Sequence, residues 1–261
     1  MVHIVAVIPA RIGSSRFPGK PLAHICGLSM IEHVLRRAEM CASLEAVYVA
    51  TCDEEIRKAV EAFGGNVIMT SDSHERASDR VAEAAEHMEA DIVVMIQGDE
   101  PMITPEMITA AVNPMLNDGS VGCVNLVRRI SKQDDYIDRN TIKAVMNLNG
   151  DALYFSRSPI PAIHFAHDEL LPVFKQVCVI PFRREHLREF ARLEPTPLER
   201  AESIDMLRVL EHGGRVRLVE TEVDTHAVDT LEDLRLVETL MNDDPLIQRY
   251  GKVGASLEVR T

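Results

Sequence analysis

The chain has 261 residues, 46% of them hydrophobic, which is enough apolar material for a substantial core in one large or two small domains. Its formal net charge of −13 repels polyanions, which argues against binding to nucleic acid or to an anionic membrane surface and requires that any anionic ligand be met by a local cluster of basic groups. Five scattered cysteines, Cys26, Cys41, Cys52, Cys123 and Cys178, contain no CxxC pair, which argues against a disulfide framework and a zinc site and for reduced thiols in a cytoplasm.

The chain enters an apolar run at once, "HIVAVIPA" (3–10), with no export signal read before it; its β-branched residues and Pro9 predict a buried parallel strand. The loop that follows packs Arg11, Ser14, Ser15, Arg16 and Lys20 around Gly13 and a "PGKP" turn. Glycine lets backbone approach a ligand, serine hydroxyls coordinate phosphate oxygens, and Arg and Lys neutralise their charge, so the loop reads as a phosphate cradle rather than a solvated basic loop. It has neither P-loop nor dinucleotide-fold spacing, so those mechanisms do not carry over.

Helical spacing then predicts 29–41, 53–65 and 78–89 as helices, the second stopped by Gly64-Gly65, alternating with strands at 46–52, 66–70 and 91–99. That rhythm is α/β with right-handed crossovers, and its ligand edge is the carboxyl end of the strands. The run "VVMIQGDEPMITPEMI" (93–108) puts Asp99 at that edge as the first candidate magnesium ligand, with Glu100 pointing the other way in an extended register. Further on the pattern loosens into strands at 122–130, 141–147, 174–183 and 215–221, with a mobile excursion expected over 160–172. In "HAVDTLEDL" (226–234), Asp229 is either a helix cap or a second metal ligand. The tail after Glu238 carries only a short apolar component, no run approaches the roughly 20 residues of a membrane span, and no repeat, linker or domain boundary interrupts the chain. A basic phosphate loop, a strand-end Asp99 and a later Asp229 together suggest a nucleoside-triphosphate transferase in which metal and lysine stabilise the charge of departing pyrophosphate.

At this point the runs "VIPARIGSSRFPGKPL", "AVEAFGGNVIMT", "IQGDEPMI", "DALYFSRSPIP" and "VDTLEDL", in this order from about residue 3 to 240, resemble the CTP:3-deoxy-manno-octulosonate (Kdo) cytidylyltransferases. The resemblance implies a GT-A-like α/β nucleotidyltransferase fold with a mixed, mostly parallel sheet, and a single domain over 1–261. Its nucleotide-binding part would take about 1–120 and 222–240, its acceptor-binding and dimerisation part about 121–221. It also implies a cytoplasmic, Mg2+-dependent homodimer that uses CTP and a small acidic acceptor. Arg11, Ser14, Arg16 and Lys20 would grip the triphosphate, with Arg11 and Lys20 counted among the catalytic groups; Arg76 and Ser78 would lie by the base, and Asp99 and Asp229 would hold the metal. Gln97 would touch both nucleotide and acceptor, and Arg157, Gln176 and Asp205 would face the acceptor.

The chain departs from the family pattern in two places. Where the family reads H-x-S-G-T-[ED]-R, with Ser-Gly-Thr helping to hold cytosine, this chain has His74-Glu75-Arg76-Ala77-Ser78-Asp79-Arg80. The acceptor stretch H-x-G-I-Y becomes Gln176-Val177-Cys178-Val179-Ile180, and S-L-E-Q becomes Ser203-Ile204-Asp205-Met206. Lost hydrogen-bond partners loosen selectivity for sugar hydroxyls. Two acceptors therefore stand: Kdo or a close 3-deoxy-ulosonic acid, and a small phosphonate such as phosphonoformate, for which Lys143, Arg157 and Lys175 would supply positive charge. Two further classes are a GT-A glycosyltransferase, which would not need the phosphate loop, and a noncatalytic nucleotide-binding module, in which Asp99 and Asp229 would not affect turnover.

Overall fold

The protein is described here by a computed structural model covering residues 2–13, 17–162 and 173–254. The chain forms two compact units, one made of the residues up to Ile108 and from Thr225 onward, the other of Thr109–Asp224.

The first unit opens with β1 (Ile4–Pro9), all six residues of which are buried. A 3-10 turn over Lys20–Leu22 leads to the small hairpin of β2 (His24–Ile25) and β3 (Leu28–Ser29), then α1 (Met30–Glu39). Alternation continues through β4 (Ala46–Thr51), α2 (Glu54–Ala62), β5 (Asn66–Met69), α3 (Ala77–Ala85) and β6 (Ile92–Ile96). The strands of this unit lie in the order β6-β1-β4-β5, every pair parallel, with Val7 between Met95 and Tyr48. Near-continuous apolar burial in β1 and β6 is what a parallel sheet covered on both faces requires. Sequence periodicity located β1, β4, β5, β6 and α1 to α3 to within a few residues, whereas the 3-10 turn and the β2–β3 hairpin were not expected. One difference bears on the site: β6 ends at Ile96, so Gln97–Glu100 is a turn, closed by the Glu100 amide donating to the Gln97 carbonyl at 3.2 Å, and not an extended continuation.

Helix α4 (Pro105–Asn117) contains the boundary between units. The second unit follows as β7 (Val124–Arg129), α5 (Gln133–Ile137), β8 (Lys143–Met146), β9 (Ala152–Ser156), β10 (Phe174–Val177), β11 (Val179–Arg183), α6 (Arg184–Arg192), α7 (Pro197–Glu202), α8 (Met206–Glu211) and β12 (Arg217–Thr221). Its sheet has the order β12-β7-β10-β8-β9, with β12 parallel to β7 and the other pairs antiparallel. The single strand expected over 174–183 is two strands, interrupted at Cys178. The excursion expected over 160–172 lies largely outside the described residues, at 163–172.

The chain returns to the first unit with α9 (Leu231–Met241) and α10 (Ile247–Gly254). The tail is thus more structured than its composition suggests. Val237 and Met241 of α9 are fully buried against Ile25, Met30 and Val228. Among the described residues no helix is long and apolar enough to cross a membrane.

Candidate active site

The carboxyl edge of the parallel sheet brings together three side chains widely separated in sequence. Lys20 Nζ donates to Asp99 Oδ2 at 2.7 Å, to the Val228 carbonyl at 2.9 Å and to Asp229 Oδ1 at 3.4 Å. The lysine is only 13% exposed. Burial disfavours its charged form, yet the charges and hydrogen bonds of Asp99 and Asp229 outweigh that penalty and hold its pKa above the ordinary lysine value. The ammonium is therefore fixed as a cation.

Local structure explains each placement. Lys20 begins the 3-10 turn, and Gly19 before it takes the left-handed φ of 73° that glycine adopts without strain. The Gly19 amide closes the loop onto the Ile12 carbonyl at 3.1 Å, while the Ile12 amide donates to Asp53 Oδ2 at 2.8 Å, tying the exit of β1 to the end of β4. Asp99 sits in the turn after β6, where Gly98 approaches β1 closely: a Cβ there would lie 3.0 Å from the Pro9 carbonyl oxygen. The Val228 amide donates to the Asp99 carbonyl at 2.9 Å, joining the Asp99 and Asp229 segments through the backbone.

Asp229 is not the helix cap. Thr230 caps α9, accepting from the Asp233 amide, and Asp233 returns the bond in a reciprocal capping box. The Asp233 carboxylate also accepts from the amides of Asp229 and Thr230 at 3.0 and 2.8 Å and from His226 at 3.1 Å. Burial raises the pKa of this carboxyl, but the bonds from His226, Thr230 and the two amides lower it overall, keeping it ionised. Asp233 thus holds the turn that presents Asp229. Neither Asp233 nor Asp53 was expected from sequence; the only signal was the Thr-x-x-Asp spacing of a capping box.

Of the other expected donor-side residues, Arg11 is exposed just past β1, Gln97 is half-buried in the turn after β6, and Arg76 and the buried Ser78 lie at the start of α3. Ser14, Ser15 and Arg16 lie outside the described residues. Glu100 is buried and accepts from Thr225 Oγ1 at 2.9 Å, so it bonds within the protein.

Of the expected acceptor-side residues, Gln97 lies in the first unit and Arg157, Gln176 and Asp205 lie in the second. Arg157 donates through Nε to the Glu202 carbonyl at 2.7 Å and through Nη1 to the Arg139 carbonyl at 3.2 Å, while Glu202 accepts from the Arg157 amide at 2.9 Å. Gln176 donates to Asn125 Oδ1 at 2.5 Å, and Asp205 stands half-buried at the start of α8. Lys143 corrects the sequence reading: its fully buried ammonium donates to the carbonyls of Asp138, Thr141 and Arg157 at 2.7, 2.6 and 2.7 Å. With all three protons taken by carbonyls, it fastens backbone and has no N–H left to offer an acceptor.

Whether Asp99 and Asp229 suit a divalent metal follows from their donor chemistry. Two carboxylates converge on one point, and among the described residues no three His, Cys, Asp or Glu side chains group as a self-sufficient metal site. A pair of carboxylates that leaves further positions to phosphates and water is the donor set magnesium takes in nucleotide enzymes, so the residues fit that ion.

A parallel sheet with one ammonium and two carboxylates gathered at its carboxyl edge is an arrangement that suits an α/β nucleotidyltransferase. A family profile described as Cytidylyltransferase matches residues 5–223. The chain is 46% identical over 249 residues to the 3-deoxy-manno-octulosonate cytidylyltransferase of Geobacter metallireducens, covering 92% of this chain and 98% of that one. It is similar to a solved CMP:2-keto-3-deoxy-manno-octonic acid synthetase complexed with CTP, with 41% identity, a TM-score of 0.85 and coverage of 92% and 98%. A cytidylyltransferase structure from Leptospira borgpetersenii shares the fold at 17% identity and TM-score 0.65, over 100% of this chain and 99% of that one. The chain belongs to the 3-deoxy-manno-octulosonate cytidylyltransferase family and is a nucleotidyltransferase enzyme.

Proposed function

We propose that the protein transfers CMP from CTP to Kdo, or a close 3-deoxy-ulosonic acid, in a Mg2+-dependent reaction that releases pyrophosphate. The observation that carries this reading is the Lys20–Asp99–Asp229 cluster at the sheet edge. Nucleotide binding belongs to the first unit, with Arg11, Ser14, Arg16 and Lys20 on the triphosphate and Arg76, Ser78 and Gln97 toward the rest of the nucleotide. Acceptor binding and dimerisation belong to the second unit, with Arg157, Gln176 and Asp205 on the acceptor, which Gln97 also touches.

In the reaction the acceptor hydroxyl oxygen forms a bond to the α-phosphorus and loses its proton, while the bond from that phosphorus to the β-phosphate oxygen breaks and pyrophosphate leaves with the electron pair. Lys20 and Arg11 offset the charge that develops on the leaving phosphates, with Lys20 already held in place by Asp99, Asp229 and the Val228 carbonyl, so that catalysis comes from positioning and electrostatics. Asp99 and Asp229 would hold magnesium, which when bound neutralises phosphate charge. Arg157 is anchored by the carbonyls of Glu202, Arg139 and Ser203, which leaves two of its five N–H groups for the acceptor carboxylate.

Kdo is preferred over a small phosphonate because Lys143, one of three cations that reading invoked, has its protons committed to carbonyls. The relatives named for Kdo support the same choice. The five cysteines are thiols rather than disulfides, in keeping with a reducing cytoplasm. The test is pyrophosphate release across CTP, UTP, ATP and GTP against Kdo, amino-Kdo and small phosphonates. Release with CTP and Kdo is expected; acceptance of a phosphonate in place of Kdo would overturn the acceptor assignment, and release with no pair would favour a binding module.

A further inference from the structure

The second unit contains a cavity of about 620 Å3 bordered by α6, α8 and the start of β12. None of its lining residues belongs to the Lys20–Asp99–Asp229 cluster or to the groups assigned to the acceptor. That volume suits a drug-sized small molecule.

Its floor is apolar: Cys123, Phe182 and Phe190 are buried, and Val209 adds a half-buried aliphatic surface. The Cys123 thiol is fully enclosed, and burial pushes its pKa upward, so it serves as a small apolar surface rather than as a nucleophile. One wall is built by close approach. The His186 ring lies over Gly122, where a Cβ would stand 2.1 Å from the ring, so only glycine admits this arrangement without displacing the histidine.

The rim is charged. Arg217 is tied to Asp151 at 2.7 Å, and those two charges offset one another. Arg192 and Arg215 are exposed and take part in no ion pair among the described residues. Among the lining side chains three arginines stand with two carboxylates, Asp151 and Glu189, while Asp118, which is not in the lining, acts electrostatically on Arg215 and Arg217. On a chain of net charge −13, an apolar floor under an arginine-rich mouth is a local exception.

We propose that this cavity binds a small amphipathic anion, with an aromatic or aliphatic body on the Phe182–Phe190 floor and a carboxylate, sulfonate or phosphate group met by Arg192 and Arg215. The two guanidinium groups supply the charge-assisted hydrogen bonds and the floor supplies the hydrophobic term. The proposal does not depend on the acceptor assignment, because it concerns other residues.

The probe is 1-anilinonaphthalene-8-sulfonate, titrated into the full-length protein with saturating CTP and followed by fluorescence. One saturable site per chain is expected, unaffected by CTP. It should weaken at least about tenfold in the double variant Arg192→Glu, Arg215→Glu, and be lost in Val209→Trp, which fills the floor. Both arginines are exposed, so the charge variant tests the site without disturbing the core. Absence of saturable binding, displacement by CTP, or binding that the charge substitutions leave unchanged would overturn the proposal.

Discussion

At Lys20 a single ammonium serves two carboxylates and a carbonyl, so each partner constrains the others. Replacing Asp99 or Asp229 by Asn preserves shape but removes a charge from the proposed metal pair. Each variant is expected to lower the rate of pyrophosphate release by about 10² or more, and near-normal turnover in either would remove that residue from the metal site. A second residue-scale prediction concerns Arg208 and Glu199, a buried pair whose guanidinium bonds both carboxylate oxygens at 2.8 and 2.6 Å and lies 4.3 Å from the Phe190 ring. It ties α7 to α8, the helix that begins beside Asp205. Glu199→Gln leaves the arginine buried with half its pairing lost and should cost about 3 kcal/mol of stability, by analogy with other broken buried pairs. Urea denaturation measures it; a midpoint unchanged from the parent would show that the pair does not hold these helices together. The sequence singled out Lys20 by the basic, Gly- and Pro-punctuated loop after β1, and Asp99 and Asp229 by the apolar approaches that end at them; that the three meet depends on tertiary contacts. Asp233 and Asp53 were not, because an acidic residue at the start of a helix reads as ordinary capping, and what it holds depends on tertiary contacts.

At the scale of elements, α10 is attached to α1 by a hydrogen-bond relay whose directions are determined by its members. Arg37 Nε donates to Tyr250 Oη at 2.9 Å, so the phenol hydrogen is directed at His33 Nδ1, also 2.9 Å away, and His33 Nε2 must carry a hydrogen to donate to the Ile25 carbonyl at 2.6 Å. Arg37 also pairs with Asp244 at 2.5 Å. The relay is satisfied only with a neutral imidazole. Burial, aided by the Arg37 charge and against the pull of Ile25 and Asp244, brings His33 down to about 4 from its ordinary 6.5, and burial raises Tyr250 to about 12. Between pH 6.5 and 4 the unfolded chain therefore binds a proton that the folded chain does not. Stability from this group is complete above about pH 6.5 and is lost as pH falls toward 4, roughly 3 kcal/mol in all. Unfolding free energies at pH 7 and 4.5 for the parent and His33→Gln test this: the parent should lose more stability on acidification, and equal losses would contradict it. The tail showed little of this in sequence, since Tyr250 and Arg37 lie far apart along the chain and no periodic pattern marks their pairing.

At the scale of the whole molecule, the α/β alternation of the first unit was legible because buried parallel strands are nearly continuous apolar runs, as "IVAVIP" and "IVVMI" show. The second unit was less so. Its strands are short, β9 has the mixed burial of a partly exposed strand, and β10 and β11 follow one another with only the break at Cys178 between them. The acceptor residues sit on these less regular elements, so the family pattern was informative there mainly where the chain departs from it. The central claim is cytidylyl transfer to a Kdo-type acid, and the direct measurement is pyrophosphate release by the purified protein with CTP and Mg2+, comparing Kdo with phosphonoformate. The account predicts release with Kdo and none above background with phosphonoformate; release with phosphonoformate alone, or with neither acceptor, would contradict it.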